Sequence, residues 1–140
     1  SGITLAQVGL GSVHGLASPL GAFFPIPHGV VCGTLVASAT RINIHSMSAR
    51  EPNNTALAKY WRTAEILCQR RFIDPQVAFN KLIDLLAQWT NELALPRLSH
   101  YGLQETALDK VIAHCRGSSM KTNPIVLTDE EIRQVLLERL

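Results

Sequence analysis

The chain has 140 residues, a length that suits one domain with its own hydrophobic core. Its net charge is only +2 and its largest basic cluster is the pair Arg70–Arg71, which argues against nucleic-acid binding. The 13 basic and 11 acidic side chains all follow residue 40. Segment 1–40 therefore carries no formal charge, and we expect it to be covered by protein, lipid or another subunit.

A membrane is the less favoured environment for this segment. Residues 3–24 are numerous enough to span a bilayer, but they include Gln7, Ser12, His14 and Ser18. No Lys or Arg flanks them to set an orientation in a membrane. We therefore expect a helical hairpin buried in the protein, and no membrane partner.

The three cysteines, Cys32, Cys68 and Cys115, form no Cys-x-x-Cys motif. Such isolated cysteines are typical of buried thiols in a reducing compartment, so we expect a cytoplasmic protein. The first residues include no basic leader and no initiating Met, which fits a chain cut from a longer protein.

The charge-free segment predicts two helices. The first covers residues 2–18, where several glycines indicate close approach of a neighbouring backbone or ligand. The prolines from Pro19 to Pro27 are predicted to end this helix. A second buried helix is predicted over 28–45, immediately after them.

The remaining residues predict further helices and no strand. Helices are predicted where apolar residues recur every three or four positions, at 55–71, 75–92 and 104–115. A polar loop follows at 117–126, and the last helix begins with a capping box formed by Thr128 and Glu131. No stretch alternates with a period of two. The predicted fold is an all-α bundle of about six helices in a single domain, 1–140.

Two of the five histidines are candidates for chemistry. His45, His100 and His114 have no partner at metal-ligand spacing, so we expect them to be solvated or locally hydrogen-bonded. His14 and His28 lie in the charge-free segment, where a hairpin can bring them together. A position near a helix N-terminus favours the neutral imidazole of His28, the form that binds metal. The residues alone leave two readings open: buried structural histidines, or part of a metal site.

Two motifs together resemble a known family. The run His-Gly-Leu-Ala-Ser-Pro-Leu-Gly at 14–21 and Ile-Pro-His-Gly at 26–29 closely resemble the metal-binding stretch of iron-containing alcohol dehydrogenases, relatives of glycerol dehydrogenase and dehydroquinate synthase. The resemblance implies the all-α C-terminal domain of a dehydroquinate synthase-like enzyme. It also implies a divalent ion, Fe(II) by preference and Zn as the alternative, bound by an Asp, a His four residues later, and two histidines matched by His14 and His28.

The resemblance further implies an N-terminal domain that binds NAD or NADP. No Asp-x-x-x-His pair and no Gly-rich nucleotide loop occur in the 140 residues. We therefore expect the nucleotide-binding domain to be absent, the metal site to be incomplete, and the isolated chain to be inactive towards a small alcohol or aldehyde. Without that domain, the hairpin would expose an apolar surface, so we also expect copies of the chain to associate with one another. Ser18 departs from the family, which often has a further His there.

Two other functions remain as alternatives. One is a stand-alone, non-catalytic helical module for binding or structure, derived from the same family. The other is a lyase resembling dehydroquinate synthase. The aliphatic residues of 19–25 favour a small alcohol or aldehyde over a polyhydroxylated sugar acid.

Overall fold

The computed structural model describes residues 10–140, and within this range the chain forms helices and no strands, which confirms the all-α prediction. Residues 2–9 of the first predicted helix lie outside the described residues. The described α-helices are α1 Ser12–Phe23, α2 His28–Arg50, α3 Thr55–Cys68, α4 Pro75–Glu92, α5 Leu108–His114, α6 Ser118–Lys121 and α7 Asp129–Leu137. The helix count exceeds the prediction because the short α6 forms inside the predicted polar loop.

Helix α1 continues through Pro19, so the predicted break at this residue is wrong. Proline removes one backbone hydrogen bond from a helix interior and normally costs about 3 kcal/mol. Leu16 and Leu20, on either side of it, are fully buried in the main core, and their packing offsets that loss. The helix ends at Phe23, where extended backbone at Phe24 begins the turn to α2.

Helix α2 is the central element of the fold. It packs against α1, α3, α4 and α7, and it runs to Arg50, beyond the predicted end at residue 45. Its buried polar side chains find partners: Thr34 Oγ1 donates to the Pro96 carbonyl at 3.0 Å, and Ser38 Oγ donates to the Leu35 carbonyl at 3.1 Å. The prediction of a buried second helix in the charge-free segment is therefore confirmed.

Local capping sets the ends of α3 and α4. Asn54 Oδ1 accepts a hydrogen bond from the Ala56 backbone N–H at 2.9 Å and begins α3. This helix ends three residues before the predicted residue 71 because Gln69 adopts a left-handed conformation with φ 52°. Asp74 caps α4 by accepting from the Gln76 N–H at 2.8 Å, and the predicted bounds 75–92 are confirmed.

The capping box of α7 is confirmed, and it also ties α7 to α2. Glu131 accepts from the Thr128 backbone N–H, from Ser46 Oγ at 2.7 Å and from Arg50 Nη2 at 2.7 Å. Desolvation alone raises the pKa of Glu131, but the Ser46 and Thr128 hydrogen bonds and the charge of Arg50 together lower it below its ordinary value.

The helices enclose two hydrophobic clusters. The main cluster joins α1, α2, α5 and α7, and a smaller one packs α3 and α4 against Ile44 of α2. Of the three predicted buried thiols only Cys115 is buried; Cys32 and Cys68 are half-buried, because each lies at the edge of its cluster. Between Leu10 and Leu140, no helix is long and apolar enough to cross a membrane.

Candidate metal centre

The hairpin of α1 and α2 brings His14 and His28 together. Their ring centroids are 5.2 Å apart and the ring planes are inclined at 56°. His14 lies in the first turn of α1, and His28 is the first residue of α2, after the turn through Pro25 and Pro27. The structure thus places the two candidate histidines side by side, although 14 positions separate them in the sequence.

A third potential ligand, Cys32, completes the cluster. Its Sγ lies 3.5 Å from His28 Nε2 and 3.8 Å from His14 Nε2. One ligand atom from each of the three residues lies within 4.8 Å of the other two, and residues 10–140 contain no other such group of His, Cys, Asp or Glu. The sequence analysis missed Cys32, although its position four residues after His28 on a helix was an available signal.

The cluster lies at an open surface of the hairpin. His14 and Cys32 are half-buried, whereas His28 and Gly29 are exposed. A Cβ added at Gly29 would meet no atom within 4 Å, so the space beside His28 is free. Burial raises the pKa of the Cys32 thiol by desolvation, which favours the protonated form while no cation is present.

Helix α1 is held in place from its N-terminal side. The Gly11 N–H donates to the Ser119 carbonyl at 2.9 Å, and the Ser12 N–H donates to Asn123 Oδ1 at 3.0 Å. Asn123 also exchanges hydrogen bonds with the buried Asn43 of α2. These contacts fix the start of α1, and therefore His14, against α2 and the segment that follows α6.

The other three histidines lie outside the cluster, as predicted. His114 Nδ1 donates to the Lys110 carbonyl at 2.8 Å, and the His100 ring packs edge-on against Tyr101. His45 is exposed on α2. These three side chains are exposed to solvent or make local contacts, and none of their rings joins the cluster of His14 and His28.

A cavity elsewhere in the described chain does not coincide with this cluster. It measures about 570 Å³ and lies between α3 and the start of α4, with Trp61, Asp74 and Phe79 in its wall. Neither His14 nor His28 lines it. The histidine cluster is the stronger candidate for chemistry because its ligand atoms converge as those of a cation site do, whereas an open groove between helices is common.

A comparison of the sequence with models of protein families identifies the family to which the hairpin motifs are similar. The sequence matches the model of the "Fe-containing alcohol dehydrogenase family, C-terminal" over residues 1–140. This match covers the whole chain, including both motifs that carry His14 and His28.

Individual relatives are similar over nearly the whole chain. Alcohol dehydrogenase 4 of Schizosaccharomyces pombe is 27% identical over 140 residues, covering 96% of this chain and 29% of the relative. 1-Propanol dehydrogenase of Salmonella typhimurium is 30% identical over an alignment of 149 residues, covering 100% and 38%. A crystal structure of 1,3-propanediol oxidoreductase has a TM-score of 0.79 at 22% identity, covering 94% and 33%. The chain thus spans about a third of the length of these proteins.

Proposed function

The chain belongs to the C-terminal part of the Fe-containing alcohol dehydrogenase family, and we propose that it forms the metal- and substrate-binding domain of a metal-dependent alcohol dehydrogenase that uses NAD or NADP. The observation that carries the proposal is the convergence of His14 and His28 at an open surface, on a hairpin whose own residues up to position 40 carry no charge. Small alcohols or aldehydes are the proposed substrates, consistent with the aliphatic turn beside His28.

The donor atoms at the centre suit a divalent transition-metal ion. Imidazole nitrogens bind iron and zinc, and the two rings lie close enough to share one ion after small side-chain rotations. His14 and His28 would hold the ion from two different helices. In this proposal, the remaining protein ligands are an Asp and a His of a preceding nucleotide-binding domain.

With an ion bound, His14 and His28 would hold a Lewis acid that could polarise a substrate oxygen, the chemistry that hydride transfer to or from a nicotinamide cofactor requires. The residues of this chain orient the substrate and exclude water. Phe23 and Phe24, both half-buried, form an apolar wall at the end of α1. Phe23 is held by the His114 ring, edge-on at 5.2 Å, and by Lys110 Nζ, 4.1 Å from its ring centre.

Ser18 has a different proposed role from the histidines. It lies one helical turn after His14 and is exposed, so its hydroxyl can reach a substrate that approaches α1. A neutral serine hydroxyl is not among the usual protein ligands of iron or zinc, which are His, Cys, Asp and Glu. We expect Ser18→Ala to change turnover modestly and to leave metal content intact.

The tip of the hairpin is suited to being covered by another domain. Between residues 21 and 29, most side chains are exposed although the segment has no charge. An uncharged exposed surface beside a cation site is typical of one wall of a cleft. We infer that the nucleotide-binding domain provides the opposite wall, and that the 140-residue chain alone oxidises no alcohol.

The test uses the complete protein encoded by the reading frame that contains this chain. Metal content per subunit and NAD(P)H production from 1-propanol are measured for His14→Ala, His28→Ala and the control His45→Ala. The two ligand variants should lose metal and turnover together, and the control should retain both. Full metal occupancy in both ligand variants, with a lowered melting temperature, would indicate structural histidines and refute the proposal. A frame without a nucleotide-binding region would favour a non-catalytic module.

A further inference from the structure

We propose that Cys32 is a third direct ligand, so that His14, His28 and Cys32 form a site for a thiophilic divalent cation, with Zn²⁺ preferred. This inference rests on the proposed function, because it adds a donor to the site assigned there to His14 and His28. It goes further in predicting that the 140-residue chain binds a cation by itself, whereas two imidazoles alone predict only weak binding.

The distances fit a tetrahedral centre. Zinc–nitrogen bonds of about 2.0–2.1 Å and zinc–sulfur bonds of about 2.3 Å place N and S roughly 3.5 Å apart around a tetrahedral ion. The Cys32 Sγ lies 3.5 Å from His28 Nε2 and 3.8 Å from His14 Nε2. The two histidines offer ligand atoms within 4.8 Å of each other, so a small rotation of one ring closes the third edge.

A hydrogen bond donated by the thiol accounts for one of the two contacts, and the other would need an imidazole N–H donated to the sulfur, which is only a weak acceptor. The Cys32 thiol has one proton, which can be directed at one imidazole nitrogen at a time. Both Nε2 atoms nevertheless approach the same sulfur, from two different helices. Three lone-pair donors that converge on one point are the arrangement that a shared cation requires.

The scaffold holds these donors before any cation binds. His28 and Cys32 are one turn apart on α2. The buried side chains of Val31 and Leu35 hold this part of the helix against the core. His14 is fixed by the hydrogen bonds that anchor the start of α1. Because both helices are independently packed, binding needs side-chain rotation and no backbone rearrangement.

Binding at this site exchanges a proton for a metal–sulfur bond. The Cys32 thiol proton leaves to solvent, the sulfur donates a lone pair, and no atom changes oxidation state. In the 140-residue chain alone, three protein ligands leave the fourth position of a tetrahedral ion open to water, and a ligand from the preceding domain proposed above could take this position in the complete protein. The thiolate also makes the site softer than an all-oxygen site, so it should select zinc or cobalt over magnesium.

The test is a Co²⁺ titration of the reduced, chelator-stripped chain, followed by absorption spectroscopy. Wild type should develop a thiolate-to-Co(II) charge-transfer band in the near ultraviolet. The band should be absent in Cys32→Ser and Cys32→Ala, and retained in Cys68→Ser, a half-buried cysteine of α3 outside the cluster. Zn²⁺ should displace Co²⁺ and remove the band, whereas Mg²⁺ should not. Cys32→Ser should weaken Zn²⁺ binding at least about 10-fold, since losing even an indirect partner commonly costs that much.

Circular dichroism of each variant establishes that it is folded, so loss of the band reports the ligand. A band that persists in Cys32→Ser, or Co²⁺ bound in wild type without the band, overturns the role of Cys32 and leaves His14 and His28 as ligands. Failure of the folded wild-type chain to bind Co²⁺ also overturns the inference. Neither result contradicts the proposed function, which is refuted only if His14→Ala and His28→Ala leave the metal content of the complete protein unchanged.

Discussion

Gly15, next to His14, is a position where the close approach of two helices can be tested. A Cβ added there would lie 3.0 Å from Met120 Cβ, 3.1 Å from Met120 Cε and 3.2 Å from the Cys115 carbonyl oxygen. Met120 Cε can move away by side-chain rotation. The Cys115 oxygen is a backbone atom and Met120 Cβ is bonded directly to the backbone, so neither can move unless the backbone moves. Gly15→Ala should therefore push α1 away from α6 and the end of α5.

Two opposing terms determine the magnitude. Overpacking a well-packed contact by one methyl group costs about 1–3 kcal/mol. Replacing a helical glycine by alanine returns up to about 1 kcal/mol through helix propensity. Because two of the three close atoms cannot rotate away, the first term should win, and Gly15→Ala should lower the free energy of unfolding by about 1 kcal/mol.

Gly29 provides the matched control, since it is the glycine next to the other histidine. A Cβ there meets nothing within 4 Å, so Gly29→Ala should raise the free energy of unfolding slightly, by at most ~1 kcal/mol. Urea denaturation followed by far-ultraviolet circular dichroism measures both changes. A Gly15→Ala variant as stable as wild type, or equal shifts in the two variants, would refute the reasoning.

Three further predictions follow from the described contacts. Asn123→Ala should lower the free energy of unfolding by about 2–3 kcal/mol in urea denaturation, because it leaves the Ser12 N–H and the side-chain oxygen of the buried Asn43 without the partner that Asn123 provides. A change below about 0.5 kcal/mol, the size expected for an unimportant surface substitution, would contradict this. The folded state lowers the pKa of Glu131, so its ionised form stabilises the protein above the ordinary carboxyl pKa. This stability is lost as the pH falls through the lower pKa of the folded state. The free energy of unfolding of Glu131→Gln should therefore fall less steeply on acidification than that of the wild type. The uncovered tip at 21–29 should make the chain self-associate, which sedimentation velocity over a wide concentration range would detect, and a monomer throughout would count against it.

Elements whose signals are local could be predicted from the sequence. The start of α4 depends on Asp74 and its neighbour, and the start of α7 depends on the capping box of Thr128 and Glu131. Both were predicted to the residue because these hydrogen bonds span at most three positions. The end of α3 was missed because the left-handed conformation of Gln69 has no marker in its side chain.

Features set by long-range packing could not be predicted. The helix through Pro19 persists because Leu16 and Leu20 are buried against other elements, which the sequence of the helix itself does not show. Helix α6 forms inside a polar loop where Met120 packs against Gly15, more than 100 positions earlier. In each case a local propensity is overridden by burial.

The candidate site combines both kinds of signal. The resemblance identified His14 and His28, and the geometry places them together as that hypothesis requires. Cys32 was classed with the buried thiols because no Cys-x-x-Cys pair drew attention to it. Its contact with His28 follows from helical spacing, but its contact with His14 depends on how α1 crosses α2, which the sequence does not specify.

The lack of charge in residues 10–40 has two physical consequences that meet at this site. Inside the fold, it allows most of residues 31–40 of α2 to be buried without the cost of desolvating an ion. At the exposed turn, it means that residues 21–29 themselves carry neither a carboxylate to occupy a coordination position nor a Lys or Arg to repel a cation; the Lys110 ammonium, which lies over the Phe23 ring, comes from α5. A bound divalent ion would then be the dominant local charge, and its effect on a substrate oxygen would grow as a covering domain excluded water. The same residues that make the hairpin a good core element are therefore also consistent with the proposed role of its tip as one wall of a metal-dependent active site.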